Sequence, residues 1–139
     1  MRIFILEDMW ENRKGILLKD FPVDTDIVHA VDYDAAIAVL PQDNFDLYMM
    51  DHDLAFIGLN QDEEHPKEGT EVALFMKERG LGKNKPFIFH STNPWGVDRM
   101  VDLLNSDGRT LIKAPINIVR RMSPVPTYWS LVEKHILNK

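Results

Sequence analysis

The chain has 139 residues, 45% hydrophobic and 27% charged, with no cysteine and a net charge of −6. That length suits one domain over residues 1–139 with a real core, and the missing thiols exclude a disulfide framework, a cysteine nucleophile and any thiolate-held metal. The longest apolar runs fall far short of the ~20 residues that cross a bilayer, and Met1-Arg2-Ile3 opens a strand pattern without a signal-peptide core. A cytoplasmic protein without membrane contact is therefore expected. The charge is unevenly spread. Residues 1–64 hold 15 acids against 4 bases, and residues 65–139 hold 7 against 12, or −11 and +5. Most of the acids suit solvated helix faces, but an acidic half beside a basic half can also place a cation and a phosphate in one cleft.

Arg2-Ile-Phe-Ile-Leu6 reads as a strand buried on both faces and ends in Glu7-Asp8. Helical spacing of Ile16, Leu17 and Phe21 predicts a helix from Glu11 to Phe21, weakened by Gly15 and ended by Pro22. Asp26 to Val31 is a second strand. Asp32 then caps a helix from Asp34 to Leu40 that Pro41 closes. Phe45 to Met50 is a third strand delivering Asp51-His52-Asp53, followed by a polar loop over 56–68. A helix over Thr70–Arg79 has Val72, Ala73, Phe75 and Met76 inward and stops at Gly80 or Gly82. Pro86-Phe-Ile-Phe89 is strand four and delivers His90-Ser91-Thr92-Asn93-Pro94. A helix over Val97–Leu104, a fifth strand over Thr110–Lys113 and a last helix over Thr127–Leu137 complete the chain.

Five strands alternating with five helices predict an α/β fold, a doubly wound parallel sheet. In such sheets ligands bind beyond the carboxyl ends of the strands, which gathers Glu7, Asp8, Asp51, His52, Asp53, His90, Ser91 and Asn93 at one crevice. Glu7, Asp8 and Asp51 together are costly without a cation, and their oxygens suit Mg²⁺ or Mn²⁺. His52 and His90 are candidates for acid–base work near neutral pH or for ligating a metal. Two enzyme motifs fail. His90-Ser91-Thr92 fits the His-x-Thr element of two-histidine phosphoesterases, but none of the other four His repeats it. His52-Asp53 follows a strand, whereas HD hydrolases are helical. Ser91 lacks the glycines of a nucleophile elbow and better suits a phosphate contact.

The pattern resembles a response-regulator receiver domain, which implies the flavodoxin-like strand order 2-1-3-4-5. In receivers an acidic pair follows strand one, a phosphoacceptor Asp ends strand three, a Ser or Thr ends strand four and a Lys-Pro ends strand five. Glu7-Asp8, Asp51, Ser91 and Lys113 stand at those positions, although Ala114 separates Lys113 from Pro115. Asp51-His52-Asp53-Leu54, the Gly69-Thr70-Glu71-Val72-Ala73 segment and His90-Ser91-Thr92-Asn93-Pro94 with Gly96 and Met100 are similar to a narrower group, the cyclic-phosphate processing Receiver family. Its usual Asp-Asp followed by Arg and Pro is here Glu7-Asp8-Met9-Trp10.

That resemblance implies chemistry on a cyclic phosphate, either a 2′,3′-cyclic RNA terminus or a cyclic nucleotide. A Mg²⁺ or Mn²⁺ ion on Glu7, Asp8 and Asp51 would neutralise phosphate charge, His52 and His90, with Asp53 beside them, would move protons, and Ser91, Asn93 and Lys113 would hold phosphate oxygens. The alternative is a receiver phosphorylated on Asp51 that signals through a protein partner. A third is a non-catalytic module binding through Trp10, Trp95 or Trp129. Arg120-Arg121 is too short a basic run to predict sequence-specific DNA binding.

Overall fold

The computed structural model describes residues 1–54 and 67–137. In it, β1 (Arg2–Leu6), β2 (Asp26–Ala30), β3 (Leu47–Met50), β4 (Pro86–Phe89) and β5 (Thr110–Lys113) form one parallel sheet in the expected order β2-β1-β3-β4-β5. Helices α1 (Trp10–Leu17), α2 (Tyr33–Val39), α3 (Gly69–Arg79), α4 (Pro94–Leu104), α5 (Ile116–Val119) and α6 (Tyr128–Val132) cover it.

Strand alternation sorts the core into two layers. Phe4, Leu6, Tyr48, Met50, Phe87 and Phe89 face α2, α3 and α4, meeting Ala36, Val72, Ala73, Met76, Val97, Met100 and Leu104. Ile3, Ile5, Leu47, Met49 and Ile88 face the other side, against Leu17 of α1, Ile116 and Val119 of α5 and Tyr128 and Val132 of α6. Strands buried on both faces explain the unbroken apolar runs of the sequence.

Several boundaries differ from expectation. The first helix ends at Leu17, four residues early, because the chain turns through Asp20 at φ 69° before Pro22. Helix α2 ends at Val39, and Pro41 lies inside a 3₁₀ turn over Leu40–Gln42 whose rigid φ it suits. Its predicted cap holds, with Asp32 Oδ1 accepting from Ala35 N at 2.8 Å. Helix α3 stops where Gly80 takes a left-handed φ of 64°. Helix α4 starts three residues earlier than the hydrophobic pattern suggests, at Pro94, capped by Asn93. The last helix is short, continuing as a π-helical turn over Glu133–Leu137, and α5 adds a helical turn the sequence did not announce. The polar loop expected over 56–68 lies outside the described residues except for Lys67 and Glu68. Among the described residues no helix is long and apolar enough to cross a membrane.

Candidate functional site

The parallel registers align Leu6 with Met50 and Met50 with Phe89, so the next residue of each strand, Glu7, Asp51 and His90, stands abreast at the sheet edge. The ladder continues through them, with Asp51 N donating to Leu6 O and His90 N to Met50 O, each at 3.1 Å. Alternation then decides sides. Glu7, Asp51 and His90 follow Ile5, Met49 and Ile88 onto the α1/α6 face, whereas His52 turns to α3 and α4, where it meets Thr70 and Gly96. The strand-end edge thus carries two linked groups, one around Glu7, Asp51 and His90 and one around His52 and Asp53.

The first layer is deeply buried: Glu7 and His90 are 0% exposed and Asp51 2%. The carboxylate oxygen Glu7 Oε2 can only accept, so the 3.1 Å contact is His90 Nε2–H donating to it, and the neutral ring leaves Nδ1 as a bare, buried lone pair. Burial holds His90 down at about 4, with Asp51 and Asp8 opposing and Arg13 adding to the shift. Burial likewise pushes Asp51 up to about 8, and a hydrogen bond and the charge of Glu7 act in the same direction, while His90 and the His52 amide oppose it. Arg13 of α1, which the sequence analysis did not single out, reaches in: its Nη1 lies 3.0 Å from Glu7 Oε1 and 3.7 Å from Asp51 Oδ2. Tyr128 stands edge-on to His90 at 6.4 Å and donates its hydroxyl to Ala114 O at 2.7 Å.

The second layer is built on His52. Its backbone N–H donates to Asp51 Oδ1 at 2.8 Å, the link between the layers. Its Nδ1 lies 2.8 Å from Asp53 Oδ1, so Nδ1 carries the proton, and its Nε2 meets the Thr70 hydroxyl at 2.9 Å. Asn93 donates from Nδ2 to the same Asp53 oxygen at 2.9 Å while its Oδ1 caps α4 by accepting from Gly96 N at 3.0 Å. Burial opposes ionisation of Asp53, yet the hydrogen bonds from Asn93 and His52 outweigh it and hold the carboxyl below its usual range. The ring is wedged against two glycines. A Cβ at Gly96 would collide with His52 Cγ, Nδ1 and Cδ2, and one at Gly69 with Asp51 O and His52 Cα. Gly69 N also donates to His52 O at 2.8 Å, tying α3 to the end of β3.

The remaining candidates are placed differently. Ser91 is buried, and its Oγ accepts from Asn93 N at 3.1 Å. Lys113 is half exposed and pairs with Asp98 of α4 at 2.7 Å, with no ion pair to Asp51 among the described residues. Asp8 is half-buried in the turn that follows β1, and its charge acts on His90. Trp95 is 80% exposed, whereas Trp10 stacks on His29 at 4.3 Å and Trp129 packs on Phe21 at 5.1 Å. His29 is structural, its Nε2 lying 2.8 Å from Glu7 O. Thr70 and Glu68 were also missed. The spacing of Glu68 and Glu71 before an apolar helix was the available sign, and Glu71 Oε2 does accept from Glu68 N at 2.8 Å.

Ligand atoms of Glu7, Asp51 and His90 lie within 4.8 Å of one another, as do those of His52, Asp53 and Glu68. The first group fits a divalent ion. It offers two carboxylates and an imidazole, a donor set suited to Mn²⁺ as well as Mg²⁺, and Glu7 Oε1 accepts no aligned hydrogen bond among the described residues. In the second group Glu68 Oε2 is occupied by Leu54 N at 2.6 Å.

Comparison with known proteins agrees with this architecture. The chain is similar in fold to the phosphorylated cyanobacterial phytochrome response regulator RcpA, at TM-score 0.60 and 22% identity, covering 99% of this chain and 94% of that one. The Mn²⁺-bound form of response regulator Rcp1 aligns at TM-score 0.58 and 20% identity over 99% and 95% of the two chains. TrrA of Thermotoga maritima, in complex with Mg²⁺–BeF, aligns at TM-score 0.56 and 17% identity over 81% and 86%. No curated protein sequence matches the chain. The family model described as Cyclic-phosphate processing Receiver domain matches residues 3–106, and this chain therefore belongs to that family.

Proposed function

We propose that the protein hydrolyses a cyclic phosphate, a 2′,3′-cyclic RNA terminus or a cyclic nucleotide, to the phosphomonoester. The observation that carries this reading is the pair of imidazoles flanking Asp51, one buried against Glu7 and one oriented by Asp53 and Thr70. Phosphorylation of an aspartate requires neither ring. Hydrolysis does require proton transfer: a water oxygen attacks phosphorus, one P–O(ribose) bond breaks, the water's proton passes to a base and the departing oxygen gains one. His52, at 12% side-chain exposure, is the group for that transfer, and Asp53 fixes its tautomer as a carboxylate fixes a catalytic imidazole. Burial suits His90 to a ligand role with Glu7 and Asp51. A divalent ion there would supply positive charge to the phosphate. The amino end of α4 presents the positive end of a helix dipole beside Asp53.

Incubation with Mn²⁺ or Mg²⁺ and 2′,3′-cyclic nucleotides tests the reading by product chromatography. Turnover that falls at least about 100-fold in His52→Ala and Asp51→Asn supports it. No turnover, or turnover indifferent to both changes, overturns it. A second reading, phosphoryl acceptance by Asp51 and signalling to a partner, draws on the position of Asp51 at the end of β3 beside Glu7. Acetyl phosphate with Mg²⁺ would then add one phosphoryl group by mass, and would not in Asp51→Asn.

A further inference from the structure

We propose that Arg13 is a tethered cation that competes with a divalent ion for the Glu7–Asp51 pair, and that a phosphate ligand relieves the competition by drawing the guanidinium away. Metal and phosphate would then bind this protein cooperatively. The second half rests on the cyclic-phosphate reading; the first stands on the ion pairs alone.

Two buried acids side by side must share a proton or be met by positive charge, and a cation that binds them releases that proton. Of their four oxygens, Glu7 Oε2 is held by His90 Nε2 and Asp51 Oδ1 by the His52 amide. The other two, Glu7 Oε1 and Asp51 Oδ2, are those that Arg13 Nη1 faces at 3.0 and 3.7 Å. Glu7 and Asp51 would hold a divalent ion with these same carboxylates, so the ion and the guanidinium would compete for them. The guanidinium's grip on Glu7 Oε1 is one of charge without an aligned hydrogen bond, so a better-coordinating cation can displace it. Arg13 also has somewhere to go. Its side chain is 23% exposed and comes from α1, at the rim of the buried layer, so it can swing outward without disturbing the strands. Outside, a phosphate offers the planar, bidentate partner that guanidinium prefers. Linkage then requires that each ligand raise the other's affinity by one common factor.

The test is Mn²⁺ binding to the full chain, read by the electron paramagnetic resonance of free Mn²⁺, with and without inorganic phosphate. Arg13→Gln should bind Mn²⁺ at least about tenfold more tightly than the wild type when phosphate is absent, and Glu7→Gln should bind far more weakly than either. Adding phosphate should tighten Mn²⁺ binding more in the wild type than in Arg13→Gln. Equal or weaker binding by Arg13→Gln overturns the competition, and an equal phosphate effect overturns the coupling. Should Arg13→Gln fail to fold, the wild type alone decides: saturating Mg²⁺ must move the Arg13 Nε–H resonance, and an unmoved resonance refutes displacement. Competition without turnover of cyclic nucleotides fails only the proposed hydrolysis, whereas turnover without competition fails only the role of Arg13.

Discussion

Gly96→Ala is the sharpest single perturbation of the site. Glycine costs a helix interior about 1 kcal/mol relative to alanine, so propensity alone predicts stabilisation. Packing reverses the sign. Gly96 is in the first turn of α4, and the new methyl would overlap three atoms of the His52 ring, which β3, α3 and α4 together confine. Overpacking of this kind costs about 1–3 kcal/mol. Relief by moving the ring gives up its bonds to Asp53 and Thr70, each about 0.5–1.5 kcal/mol. The net expectation is a loss of about 1–4 kcal/mol. Gly15→Ala is the matched control, since none of the described residues lies within 4 Å of the added Cβ and α1 is helical there. It should gain about 0.5–1 kcal/mol. Urea unfolding of both variants would separate their midpoints in opposite directions from wild type, with the His52 ring resonances displaced only in Gly96→Ala. Two variants of equal stability, or a stabilised Gly96→Ala with unmoved His52 signals, would refute the packing argument.

Three further outcomes follow from the same contacts. Asp51, raised to about 8 by burial and by Glu7, keeps a proton in the native state that the unfolded chain loses near pH 4, so its contribution falls as pH rises between about 4 and 8. His90, lowered to about 4 by burial, does the reverse, its contribution rising with pH from about 4 to 6.5. The two offset below pH 6.5 and leave a decline from 6.5 to 8, which urea melts should record in wild type and lose in Asp51→Asn. Tyr128→Phe removes the hydroxyl that satisfies a buried carbonyl at Ala114 and should lower the unfolding free energy by about 1–3 kcal/mol in the same assay. Lys113→Ala breaks a pair whose side chains are 52% and 59% exposed, and should change stability by less than about 0.5 kcal/mol.

The sheet was legible because its three central strands are buried on both faces, which leaves runs such as Ile3–Leu6 with no polar interruption. Their ends were legible for the same reason: Glu7, Asp51 and His90 are the first polar residues after each run. Helix ends were less so, since they turned on backbone conformation at Asp20 and on the cap at Asn93, not on apolar spacing. Helix α5 is four residues long, too short for a periodic signal. The division of the site into two layers was available from strand alternation, which sends Asp51 and His52 to opposite sides. Arg13 was hidden by a different cause. An arginine on an amphipathic helix is ordinarily solvated, and only the three-dimensional start of α1 at Trp10 shows that this one reaches the buried carboxylates.

His52 is the point at which this chain departs furthest from what an aspartyl phosphoacceptor needs. Gly69 and Gly96 lack the Cβ atoms that would strike Asp51 O or the His52 ring, Thr70 and Asp53 occupy both ring nitrogens, and Asn93 holds Asp53 while capping the helix that carries Gly96. Elements distant in sequence are thus shaped around one imidazole, and such interdependence is measurable as non-additivity. In His52→Ala the space beside Gly96 opens, so adding Gly96→Ala to that background should cost nothing and recover up to about 1 kcal/mol of helix propensity. Against a loss of about 1–4 kcal/mol in the wild-type background, the cycle should close with a coupling of about 1–5 kcal/mol, within or above the range for residues in contact. Additive effects would mean that the glycine serves the backbone of α4 and not the ring, and the case for His52 as the residue around which the site is organised would fall with it.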